Sequence, residues 1–203
     1  ISAFLRGDTS FAFANAYKSY YRVIRSGKEE PMSTHADHFN TNYGYENAAY
    51  SKGCVFLAQL GYIVGENNLD KILLEYYNEW KFKHPNPNDF IRVAEKVSGM
   101  ELQWYKEYWI YTTKTIDYAI GDINMAGNNA SITLKHIGLM PMPIDVIVIY
   151  TDGKQEIHYI PMNLMFVAKP AENNITRIIH PEWKWVDAEY SFTITRSVTD
   201  IKS

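Results

Sequence analysis

Residues 101–121 read ELQWYKEYWIYTTKTIDYAIG, and within this stretch the hydrophobic rhythm changes. Leu102, Tyr105 and Trp109 recur at spacings of three and four, which puts them on one face of a helix. Ile116, Tyr118 and Ile120 then recur at two, the period of a half-buried strand. A single switch of this kind predicts an α+β chain. The expectation is an all-helical part over residues 1–114 and a small antiparallel β-sandwich over 115–203.

Upstream of the switch the helical period persists. Apolar residues at mixed three and four spacings predict a helix from Phe11 to Arg25, closed by Gly27 and, beyond it, Pro31. A polar loop with histidines follows from Ser33 to Asn42. Ala49, Gly53, Phe56, Leu57, Leu60, Ile63 and Val64 then mark the strongest helical face. Gly65 sits where a left-handed terminus needs glycine, and Asn67 or Asn68 is expected to cap a helix carrying Leu69, Ile72, Leu73, Tyr76 and Trp80. Asn86-Pro87 reads as a cap followed by a first-turn proline, and Gly99 as the stop of that helix.

Downstream the period is two. Gly127-Asn128-Asn129 separates a strand around Tyr118 from one holding Ile132 and Leu134. Val146–Tyr150 is apolar on both faces, and Asp152-Gly153 predicts a two-residue hairpin turn into Gln155–Ile160. Tyr190–Ile194 alternates again.

Composition narrows the function. The chain has 203 residues, 46% of them hydrophobic, and a net charge of -3 with Lys and Arg scattered, so there is no basic footprint for nucleic acid. Apolar runs such as Val146–Tyr150 fall well short of the roughly 20 residues of a membrane span. The chain opens at Ile1 in helix-like sequence with neither Met nor a leader, which predicts a soluble piece of a longer protein. Cys54 is the only cysteine and is expected to pack as an inert thiol.

Chemical motifs are sparse. His35 and His38 form the one close histidine pair, and H-E-x-x-H, glycine-rich phosphate loops and the G-x-S-x-G elbow are all absent. A histidine pair in a polar loop is expected to be solvated. The informative stretch is Ala49-Tyr50-Ser51-Lys52-Gly53, at the start of the strongest helical face.

This stretch resembles the Tyr-x-Lys-Gly segment of zinc aminopeptidases of the aminopeptidase N type, in the gluzincin family. The resemblance runs from about Glu30 through Ile120, with Tyr76–Trp80, Asp89-Phe90 and Leu102-Gln103-Trp104 as less specific points of likeness. It implies that residues 1–114 are the carboxy-terminal part of a gluzincin catalytic domain and that 115–203 are a fibronectin-like β-domain. Trp183-Lys184-Trp185 fits that second part.

Carried over, Tyr50 becomes the catalytic tyrosine, whose hydroxyl donates to the oxyanion formed as water attacks a peptide carbonyl. Zinc is then the cofactor of the parent protein, with its ligands outside this chain. The partners are the rest of the catalytic domain and a peptide substrate, and the fragment is expected to be inactive alone. The compartment stays open, a periplasmic or secreted parent being consistent with the resemblance. Lys52 is read as a solvated or ion-paired side chain rather than a substrate ligand, and Gly53 as a point of close helix packing. Two other readings stand beside this one: a non-catalytic interaction module, and a sugar-binding β-domain using Trp183 and Trp185 as a stacking platform.

Overall fold

A computed structural model describes residues 13–127, 129–171, 176–195 and 198–202. Phe11, the expected start of the first helix, and Asn128 of the first hairpin turn lie outside them. Helices come first and strands second, in two compact units, Ile1–Thr113 and Lys114–Ser203.

The helical unit follows its local signals where these are strong. Helix α1 (Ala14–Ser26) buries Tyr17, Tyr20 and Val23 and stops at Gly27, which takes φ 67° and donates its N–H to the Ile24 carbonyl. Helix α2 (Asn42–Glu46) is capped by Thr41, whose Oγ1 accepts from the Gly44 amide at 3.0 Å. It runs without a break through a π-helical segment, Asn47–Lys52, into α3 (Gly53–Val64). Helix α4 (Glu66–Trp80) follows directly, α5 (Pro87–Ser98) carries a full capping box between Asn86 and Asp89, and α6 (Gln103–Tyr111) closes the unit. Its core is aromatic. Phe56, Tyr105 and Trp109 meet at ring separations of 5.1–6.3 Å, and the buried Tyr105 hydroxyl donates to the Phe56 carbonyl at 2.6 Å.

Several expectations about this unit need correction. The helix bearing Tyr50 starts at Asn42, because Thr41 caps it and Gly44 fits where a Cβ would lie 2.9 Å from Glu30 Oε1. The π segment rotates the apolar stripe, so Ala48 and Lys52 are buried and Ala49 is exposed. A Cβ at Gly53 would meet only Met32 Cε at 3.8 Å and the Ala48 carbonyl at 4.0 Å, so close packing does not require glycine there. Gly65 takes a positive φ of 85°, which favours glycine as expected, but with ψ 144° it lies outside the left-handed helical well. Asn67 and Asn68 lie within the first turn of α4, where Asn68 Nδ2 donates back to the Val64 carbonyl.

The second unit holds two small sheets, ordered β1-β2-β6 and β5-β4-β3-β7. Their strands are β1 (Tyr118–Ala126), β2 (Asn129–His136), β3 (Ile144–Tyr150), β4 (Gln155–Ile160), β5 (Thr176–Ile179), β6 (Glu189–Ile194) and β7 (Val198–Lys202). One hydrophobic cluster draws on both sheets: Ile132 and Leu134 from β2, Val146 and Val148 from β3, Phe192 and Ile194 from β6. Full burial of such a side chain contributes roughly 1.5–3 kcal/mol.

One pairing departs from the expected antiparallel pattern, and one turn from its expected length. Strand β5 pairs with β4 in parallel, Glu156 opposite Thr176. The β3–β4 loop has three residues, Thr151–Gly153, since the Tyr150 amide donates to the Lys154 carbonyl and the Gly153 amide to the Tyr150 carbonyl. Only Gly153 takes a positive φ, at 80°, so Asp152-Gly153 does not form the two-residue turn that needs it at both positions.

Strand β4 and the residue after β5 contribute a histidine pair of which His158 is buried and His180 partly so. His158 Nδ1 and His180 Nε2 share a hydrogen bond of 2.8 Å, and Phe192 stacks on the His158 ring. Burial, reinforced by the His180 charge, lowers the His158 pKa to about 4, while Glu156 opposes the shift. The folded state thus binds fewer protons than the unfolded one between pH about 4 and the ordinary imidazole value of about 6.5. Stability from this site is therefore present above about 6.5 and is lost as pH falls toward 4. In calorimetry the β unit should melt progressively lower across that window, and His158→Gln should flatten the dependence. An equally steep dependence in His158→Gln would refute the assignment.

Candidate functional site

Tyr50 stands on the π segment with its side chain turned outward and 71% exposed. It borders a depression of about 440 Å³ whose wall includes Ser19 and Arg22 of α1, Tyr43 and Glu46 of α2, and Asn47. Among the described residues the Tyr50 hydroxyl has no hydrogen-bond partner. Single π turns within helices are rare and often mark functional positions, because the extra residue changes which side chains face out.

Lys52, two positions on, faces the opposite way. It is fully buried, with Nζ donating to Glu29 Oε1 at 2.7 Å and to the Thr112 carbonyl at 2.8 Å. The Tyr20 ring lies 6.0 Å from the same ammonium. Burial pushes the Glu29 carboxyl above its ordinary value and the Lys52 ammonium below its own, and each partner's charge holds the other back. Of the two expectations for Lys52, ion pairing describes it and solvation does not. The sequence held a signal for this: Lys52, Phe56 and Leu60 are spaced by four, so the lysine belongs to the apolar stripe. Asn47 gave no comparable signal, yet it too is buried.

The other candidates stand apart from this arrangement. His35 and His38 lie with ring centroids 5.3 Å apart, and His35 Nδ1 accepts from the Asp37 amide as a cap. Among the described residues no three His, Cys, Asp or Glu side chains converge as a metal site. Cys54 is half-buried, and burial raises its thiol pKa, which disfavours the reactive thiolate. Trp183 is 5% exposed within the β-unit core and donates to the Asp187 carbonyl, whereas Trp185 is 42% exposed. The two indoles therefore do not form a common exposed platform, which removes the basis of the sugar-binding reading.

No protein-family model matches the chain, and no curated protein matches it either. The reading of the site rests on its residues.

Removing one partner of a buried ion pair leaves the other charge uncompensated, at a typical cost of about 3–5 kcal/mol. Lys52→Met should destabilise the helical unit by that order in urea melts, and adding Glu29→Gln should recover part of the loss. A single variant as stable as the wild type would show that the pair does not hold this segment.

Proposed function

We propose that the chain is the carboxy-terminal part of a gluzincin catalytic domain followed by a fibronectin-like β-sandwich, from a zinc aminopeptidase acting on peptide amino termini. The observation that carries this reading is the presentation of Tyr50. A tyrosine beside an apolar helical stripe ordinarily packs its ring against that stripe. Tyr50 instead projects from a π turn, borders a depression and keeps its hydroxyl unengaged, while the adjacent buried Lys52 anchors the same segment. These are the conditions under which a phenol can donate to a substrate oxygen.

In this reading zinc supplies the Lewis acid and the activated water when bound, by ligands that lie outside this chain. The contribution of this chain is narrower. Tyr50 Oη–H donates to the carbonyl oxygen as negative charge develops there, and the π segment sets the face from which the phenol projects. Preorganised donors of this type are effective because they need not reorient during the step. Without metal ligands the fragment is inactive on its own. The core shared by both sheets of the second unit supports the sandwich reading.

An interaction module remains the second reading, favoured by one observation. On α4, Leu74 and Tyr77 are 63% and 62% exposed, an apolar surface that packing within the unit does not use.

The deciding experiment is aminopeptidase kinetics of the zinc-loaded parent protein with Tyr50→Phe. Loss of one oxyanion donor should lower kcat about 10²–10³-fold with zinc content and melting unchanged. An unaltered kcat would remove Tyr50 from catalysis and leave the interaction module.

A further inference from the structure

The inner face of β4 is polar where a sandwich core is ordinarily apolar. His158 is buried there, and Glu156 lies on the same face two residues earlier. His158 Nε2 faces Glu156 Oε2 at 3.7 Å. A lone pair aimed at a carboxylate would be repelled, so Nε2 carries the ring proton, and Nδ1 accepts the 2.8 Å bond from His180 Nε2–H. The surroundings of the pair are otherwise apolar or phenolic. Phe192 of β6 packs on both rings, and Val146 of β3 and Ile178 of β5 stand opposite His158. The Tyr150 hydroxyl donates to Glu156 and the Tyr190 hydroxyl to the Pro181 carbonyl. Arg177, Lys169 and Asp145 gather around Tyr159 on the other face of β4, and Glu182 is exposed.

We propose that β5 is an acid-released edge strand: protonation of both histidines parts His180 from His158 and lifts the end of β5 from β4. A first proton can enter His180 Nδ1, since that ring is partly exposed, and the cationic ring then donates more strongly. A second has only His158 Nδ1 to enter, and that lone pair already accepts the bond. The closed pair therefore cannot hold both protons, and two imidazolium rings in contact would also repel. Separated imidazoles take up protons near the ordinary value of about 6.5, whereas burial holds His158 in the closed pair down to about 4, so acidification favours the open state. His180 is the ring that moves. His158 stands on a strand paired on both sides, while β5 has four residues, three of them exposed, at the edge of its sheet. Beyond its ladder with β4, the end of β5 is held by His180 alone among the contacts described, through its ring and through its amide, which donates to the Tyr159 carbonyl at 2.9 Å. Arg177 secures the middle of β5 throughout this pH range, its guanidinium 4.0 Å from the Tyr159 ring and donating to the Lys169 carbonyl. Release therefore starts from the His180 end, and it uncovers ladder groups of β4 that β5 now pairs.

The test is hydrogen exchange of the 203-residue chain, read by mass spectrometry from about pH 7 to about pH 4.5 and corrected for the intrinsic pH dependence of exchange. The expected result is loss of protection at residues 176–180 while β3 keeps its own, with the opening constant rising up to about tenfold per pH unit for each additional proton bound. His180→Gln should abolish the trend, because a glutamine can turn either its amide N–H or its carbonyl toward His158 and so satisfies both protonation states. Equal protection of β5 at both ends of the range, or an unchanged trend in His180→Gln, would overturn the proposal. Loss of protection in β3 at the same pH would overturn it too, since the unit would then be opening as a whole rather than at its edge. That comparison of the two strands in the wild type decides the matter if His180→Gln does not fold.

Discussion

A single ammonium organises the helical unit. Lys52 Nζ reaches Glu29, in the segment after α1, and the Thr112 carbonyl, just beyond α6, from its own position in the π segment. Three stretches far apart in sequence are thus joined through one buried charge. Such an arrangement is expensive to desolvate and adds less net stability than well-packed apolar residues would. Its value is geometric. A charge that must be satisfied on two sides permits few alternative registers of the helix that carries it, and Tyr50 sits in that helix on the opposite face.

This constraint explains why the strongest helical face in the sequence was legible and yet displaced. Leu60, Ile63 and Val64 are buried as their period requires. The reading fails nearer Tyr50, because the period argument assumes a uniform helix and the π segment inserts a shift in phase. Thr41 as the true cap was equally hard to see, since its role depends on Gly44 lying against Glu30 and the Lys28 carbonyl, contacts made across a loop. Local signals fared better. Asn86 with Pro87, and Gly27 and Gly99 at their stops, work through neighbours a few residues away and could be read directly.

The β unit repeats this division. Alternation placed β2 and β6, because a strand with one buried face carries its pattern in its own residues, and β3 showed as a short run apolar on both faces. Pairing direction is not local, and the parallel β5 left no trace in the pattern. At the candidate site, Tyr50 could be singled out by its motif and the burial of Lys52 by its spacing from Phe56 and Leu60. The outward stance of Tyr50 and the burial of Asn47 could not, because they follow from the phase shift of the π segment.

The bond from Lys52 to the Thr112 carbonyl also bears on how the protein can be dissected. The last helix ends at Tyr111, so a helical unit trimmed there would retain every helix and look complete. It would nonetheless lack the backbone acceptor that one side of the lysine requires. The smallest faithful excision is therefore set by a hydrogen bond rather than by secondary structure, and it extends at least through residue 112.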